Sequence, residues 1–191
     1  MKMRKALVAA GLALMFGAGT VSAAEAPNAG KFGLGYQGVF GGSILQGLSG
    51  RYWVNNNVGT ELNLYYGKAS IEGINFFANS LDGDLLLATA KVLYAPVVNP
   101  HSKFYVGIEG GIGSVNLSAD DESTPGDIGV YVVNPLIGSE FNFSEFPEIG
   151  FNFEVGYKFH HISYKNDPDV PDDISINLDG TFVSLGAHYY F

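Results

Sequence analysis

The sequence predicts an all-β protein: an eight-stranded antiparallel transmembrane up-and-down β-barrel, preceded by a cleaved signal peptide. Three observations carry this. Apolar and polar residues alternate with period two over eight separate segments. The chain holds 14 Phe, 11 Tyr and 26 Gly, yet no apolar run beyond its N-terminus reaches the roughly 20 residues of a membrane helix. The connections alternate between short turns and long polar stretches, the pattern of an outer-membrane barrel.

The N-terminus reads first as a leader. Lys2, Arg4 and Lys5 precede an apolar run from Ala6 to about Ala18, and Val21-Ser22-Ala23 supplies small residues of the A-x-A type. Cleavage is expected after Ala23 or Ala24, giving a signal peptide over 1–23, an N-terminal tail over 24–30 and the barrel over 31–191. The leader carries three of the ten Lys and Arg, so the exported chain has seven against 19 Asp and Glu, a net charge of −12. That balance argues against nucleic acid, whose binding needs clustered basic residues. The absence of cysteine excludes disulfide and thiolate chemistry.

The predicted strands cover 31–40, 47–54, 58–67, 85–95, 103–113, 130–143, 148–162 and 180–191. The seventh is the clearest: Ile149, Phe151, Phe153, Val155, Tyr157 and Phe159 alternate with Gly150, Asn152, Glu154, Gly156, Lys158 and His160. The fourth is apolar on both faces and is set by placing Lys91 on the polar side. The sixth contains Pro135, which cannot donate to a ladder and predicts a bulge or local break. Asn55-Asn56-Asn57, "PVVNPHS" and "SEFP" read as compact turns, whereas 68–84, 114–129 and 163–179 read as long loops.

The polar face is rich in glycine and charge, and the apolar face is crowded with aromatics. A soluble sandwich would bury the apolar face; a membrane barrel turns it to lipid and fills a narrow interior with paired polar side chains. The inward charges would then be Arg51, Glu61, Lys91, Glu109, Glu140, Glu154 and Lys158, joined by His188. With Asn55 to Asn57 as the turn, Arg51 stands opposite Glu61. Within a residue or two of register, Glu154 faces His188. Eight strands leave room only for side chains, so these charges are expected to plug the lumen; a narrow, porin-like pore for small solutes is the alternative.

Two stretches invite chemistry. Asp120-Asp121-Glu122 and Asp167 to Asp173 could suit calcium or bridge divalent ions to lipopolysaccharide, but they lack the EF-hand pattern and read as a solvated acidic surface. In "FHHIS", adjacent His160 and His161 point to opposite faces and cannot chelate one metal. His161 and Ser163 share a face near the outer rim, and the same register puts Asp179 opposite Ser163 and diagonal to His161. Such a cluster is the skeleton of an esterase acting on outer-leaflet lipid. Nothing in the sequence calls for a cofactor or a metal.

The chain resembles the small eight-stranded outer-membrane barrels, such as the transmembrane part of outer membrane protein A and the opacity-type proteins. The most specific element is the last strand, with Val183, Leu185, Ala187, Tyr189 and terminal Phe191 at alternating positions. The resemblance implies that this strand is the signal read by the barrel-assembly machinery. It also implies an interior charge network from Arg51, Glu61, Lys91 and Glu109, an outer-membrane location among lipid and lipopolysaccharide, and a monomer. The chain stops at the last strand, so no peptidoglycan-binding domain is expected. A second resemblance is to lipid A deacylases, whose His-x-Ser-Asn motif is approached by His161-Ile162-Ser163, with Tyr164 in place of the Asn. It implies His161, Ser163 and, by position, Asp179 as the catalytic set of an alternative, enzymatic reading.

Overall fold

The structure is a computed structural model that describes residues 28–41, 44–72, 80–119, 128–164 and 174–191. The leader over 1–23 lies outside them. Eight strands follow one another: β1 (Phe32–Phe40), β2 (Ile44–Trp53), β3 (Val58–Glu72), β4 (Ser80–Asn99), β5 (Ser102–Ala119), β6 (Ile128–Phe143), β7 (Phe146–Tyr164) and β8 (Ile174–Tyr190). Each pairs with its sequence neighbour, and β1 pairs antiparallel with β8, which closes the barrel. No helix among the described residues is long and apolar enough to cross a membrane. The strands do the crossing, and closure leaves the sheet without an open edge in lipid.

The two faces separate as the alternation requires. Leu62, Leu64, Ile112, Phe151, Phe153, Leu185 and Tyr189 point outward and are exposed. Their strand neighbours Glu61, Asn63, Asn152, Glu154, Ser184 and His188 point inward and are buried. This inverts the rule for soluble proteins, because the solvent at this wall is hydrocarbon.

Inside, the glycines make room. Four large inward rings lie over glycines of adjacent strands: Trp53 over Gly59, Tyr105 over Gly138, Phe182 over Gly156, and Tyr190 over Gly33 and Gly150. A Cβ on Gly138 would stand 2.6 Å from the Tyr105 ring, and one on Gly156 2.4 Å from Phe182. Gly33, Gly59, Gly138, Gly150 and Gly156 are therefore seats for rings that fill the lumen.

Strand lengths depart from expectation at the long-connection end. β3 runs on to Glu72 and β4 begins at Ser80; β5 reaches Ala119 and β6 begins at Ile128; β8 begins at Ile174. Much of 68–84, 114–129 and 163–179 is thus strand rather than loop. β4 has 20 residues, where a tilted membrane strand needs about 9–11. Beyond the hydrocarbon both faces meet water, so the apolar alternation lapses while the backbone ladder continues. The acidic stretches Asp120-Asp121-Glu122 and Asp167 to Asp173 lie outside the described residues.

Prolines mark the irregularities. At Pro135 the β5–β6 ladder is continuous, but pairing with β7 lapses between Val133↔Phe159 and Leu136↔Gly156. That is the local break the missing N–H predicts. A register shift falls in β4 between Tyr94 and Val97, at Pro96. The segment read as the turn "PVVNPHS" is strand through Asn99, with the turn reduced to Pro100 and His101.

Candidate functional site: the barrel interior

The strand direction sets which charges meet. β2 and β3 run antiparallel through the turn at Asn55 to Asn57, where the Asn55 side chain accepts from the amides of Asn57 and Val58, both at 2.8 Å. That turn fixes Arg51↔Glu61 as direct partners, both facing in. Glu61 in turn pairs with Lys91 on β4, and Lys91 with Glu109 on β5.

Arg51 does more than pair with its neighbour. Its Nε and Nη2 bond Glu61, Nη1 reaches Glu140 on β6 at 2.7 Å, and Nη2 reaches Glu154 on β7 at 2.9 Å. β6 and β7 lie on the far side of the barrel from β2, so the guanidinium bridges the lumen. Lys91 Nζ bonds Glu61 at 2.8 Å and Glu154 at 2.7 Å, a second crossing. Arg51 and Glu154 are both 0% exposed.

Neutral donors complete the carboxylates. Glu154 also accepts from Gln37 Nε2 and Tyr105 OH, each at 2.9 Å. Glu140 accepts from Tyr190 OH at 2.8 Å, from Trp53 Nε1 at 3.2 Å and from Asn28 Nδ2. Glu109 is bonded not by lysine but by Thr89 Oγ1 at 2.7 Å and Asn134 Nδ2 at 2.6 Å. Buried charge is tolerable only when its hydrogen bonds are made in this way. Lys158 turns toward the outer end and donates to the Gly41 carbonyl at 3.2 Å.

The charges do not fill the interior alone. Toward the long-hairpin end, Val39, Leu45, Tyr65, Leu87, Val130, Val132 and Phe182 form a buried apolar layer. Trp53, Tyr105 and Tyr190 pack at the short-turn end. These residues share the inward parity of Arg51 and Glu61 and were legible as inward. Their role as donors and filler was not, because attention to formal charge passes over Gln37, Trp53, Tyr105, Asn134 and Tyr190.

Two expected contacts fail together. The β7–β8 ladder pairs Glu154 with Ser184 and His188 with Gly150, so Glu154 does not face His188. His188 Nε2 instead lies 2.8 Å from Ser49 Oγ. By the same ladder Ser163 stands opposite Ser175, and Asp179 opposite Phe159. The pairings expected for Glu154 and for Ser163 are both wrong by the same four residues. An even slip preserves which face a residue takes, so parity could not detect it. In the candidate set of His161, Ser163 and Asp179, the expected pairing of Asp179 with Ser163 is therefore not made, while Asp179 stays diagonal to His161, which stands opposite Asn177. Asp179 is exposed on the outer wall, and the side chains of His161 and Ser163 lie outside the described residues.

The last strand lies as its alternation implies. Leu185, Tyr189 and Phe191 are exposed outward, and Val183 and Ala187 share their side. The Phe191 amide donates to Phe32 O at 3.0 Å, and the two rings meet edge to face at 5.6 Å. No three His, Cys, Asp or Glu among the described residues are grouped to hold a metal.

A closed antiparallel barrel with an apolar outer wall and a polar, charge-paired interior defines an integral outer-membrane β-barrel. Comparison with solved structures agrees on the fold. The chain is similar to the outer membrane protein OprG from Pseudomonas aeruginosa, with TM-score 0.56 and 16% identity over 86% of this chain and 97% of that one. It is equally similar to the outer membrane protein AlkL in lipid bilayers, with TM-score 0.56 and 16% identity over 91% of this chain and 94% of that one. No family model matches the sequence, and no curated protein matches it.

Proposed function

We propose that this chain is a non-enzymatic outer-membrane barrel whose lumen is plugged by its own charge network. Its acidic outer hairpins serve envelope integrity or surface interaction. The carrying observation is Arg51, which bonds Glu61 beside it and Glu140 and Glu154 across the lumen. A path for solutes would have to break these bonds and part the apolar layer above them. In this reading the protein is a monomer among outer-membrane lipid and lipopolysaccharide, and its last strand, ending at Phe191, is the signal read by the barrel-assembly machinery.

Planar-bilayer recording tests the plug. The wild-type protein is expected to give no stable single-channel steps. Stable steps from the wild type would replace the plug with the narrow-pore reading.

A further inference from the structure

Residues 28–30 belong to the segment expected as a short N-terminal tail over 24–30, and with Lys31 they are held against the short-turn end of the barrel. Ala29 pairs in parallel with Trp53, at the short-turn end of β2. The Gly30 amide donates to Trp53 O at 2.7 Å, and the Lys31 amide donates back to Asn28 O at 3.2 Å. Gly30 adopts φ of 75°, the left-handed region that glycine takes without cost. That turn aims Asn28 into the lumen, where it is 0% exposed. Its Nδ2 donates to Glu140 Oε1, the oxygen that Trp53 Nε1 also reaches.

We propose that Asn28–Lys31 is a strap that seals the periplasmic mouth of the barrel, held by one side-chain peg and one backbone turn. The inference extends the closed-lumen reading, adding a second closure that meets the Arg51 network at Glu140. What lies beneath supports it. Trp53 is 0% exposed although it sits at the last residue of its strand. Lys103 is 3% exposed, its ammonium 3.7 Å from the Trp53 ring centroid and without a hydrogen bond. A lysine at a strand end next to a turn normally extends its ammonium into water. Here it is roofed over, and the strap is the segment that bonds to the residues around it. Asn28 is otherwise an expensive residue to bury, since its Oδ1 has no partner. A tail with no sealing role would leave it in water. Displacing the strap would open Trp53, Lys103 and Glu140 to the periplasm while every barrel ladder stayed paired.

Trp53 is the only tryptophan in the chain, so its fluorescence reports the seal directly. The protein is reconstituted in phosphatidylcholine vesicles and titrated with acrylamide, a water-soluble quencher. Folding of each variant is checked by the heat-dependent gel shift of a closed barrel. Two variants attack the strap without touching the wall. Asn28→Ala removes the peg. Gly30→Val forces a branched side chain onto a left-handed backbone, where a Cβ meets nothing within 4 Å and only the backbone is strained. Both are expected to raise the quenching constant of Trp53 several-fold over wild type, and Lys31→Ala to leave it unchanged. Quenching unchanged in both folded variants would overturn the strap, as would failure of both to fold. Single-channel steps from the wild type would instead defeat the closed-lumen reading, so the two failures are distinct.

Discussion

Arg51 donates to carboxylates on β3, β6 and β7, so its removal takes a cationic partner from three buried acids at once. Lys91 still serves Glu61 and Glu154, but Glu140 keeps only neutral donors. Breaking a buried pair from one side costs about 3–5 kcal/mol, because the remaining charge is left uncompensated. Arg51→Ala is expected to lose that much in urea-driven unfolding from vesicles. A loss below about 1 kcal/mol would mean that water already screens the network. Arg51→Lys should restore little, since one ammonium cannot span three acceptors as a planar fork does. At this scale the sequence was half legible. It marked Arg51, Glu61 and Lys91 as inward, and the short Asn turn made Arg51↔Glu61 readable. It did not show that Glu140 is served by Asn28, Trp53 and Tyr190, because those contacts join residues as much as 112 positions apart.

Strands were legible where lipid enforces alternation and illegible where water lies on both sides. Residues 58–67 read as strand because Leu62 and Leu64 oppose Glu61 and Asn63; the continuation to Glu72 carries no such mark. The cost of a charge on the outer wall follows the same boundary. Leu62→Arg places a guanidinium at a fully lipid-facing site and is expected to cost about 2–4 kcal/mol. Val97→Arg, beside the short turn at Pro100, sits near the interface, where the cost falls to about 0–1 kcal/mol. Unfolding titrations of the two variants should rank them in that order; equal costs would contradict the placement of the hydrocarbon band. The inward glycines belong to this scale too. Gly59, Gly138 and Gly156 look like lost side chains in a strand, which weakens strand assignment. Only the neighbouring strand shows that each is a seat for Trp53, Tyr105 or Phe182.

At the scale of the whole molecule, the ladder between β7 and β8 does not make the Ser163–Asp179 pairing expected of the candidate set of His161, Ser163 and Asp179. The acid stands opposite Phe159 and not Ser163. On the non-enzymatic reading proposed above, lipid A from cells with and without the protein is expected to show the same acyl content by mass spectrometry. Acyl loss that depends on the protein and vanishes in Ser163→Ala would revive the esterase. On the closed-lumen reading proposed above, the interior would hold three stacked closures: the apolar layer around Phe182, the ion pairs around Arg51, and the strap at Asn28 beneath Trp53.

The sequence by itself determined the number of strands, the face each residue takes and the medium each face meets. Those follow from a period of two acting locally, with lipid on one side and a narrow lumen on the other. Only the tertiary structure decided the β7–β8 register and the contacts made across the barrel. It also carried the outer hairpins past the membrane and folded Asn28 inside. Parity is unchanged by an even slip, and a contact across the lumen depends on how all eight strands close. No local stretch of sequence holds that information.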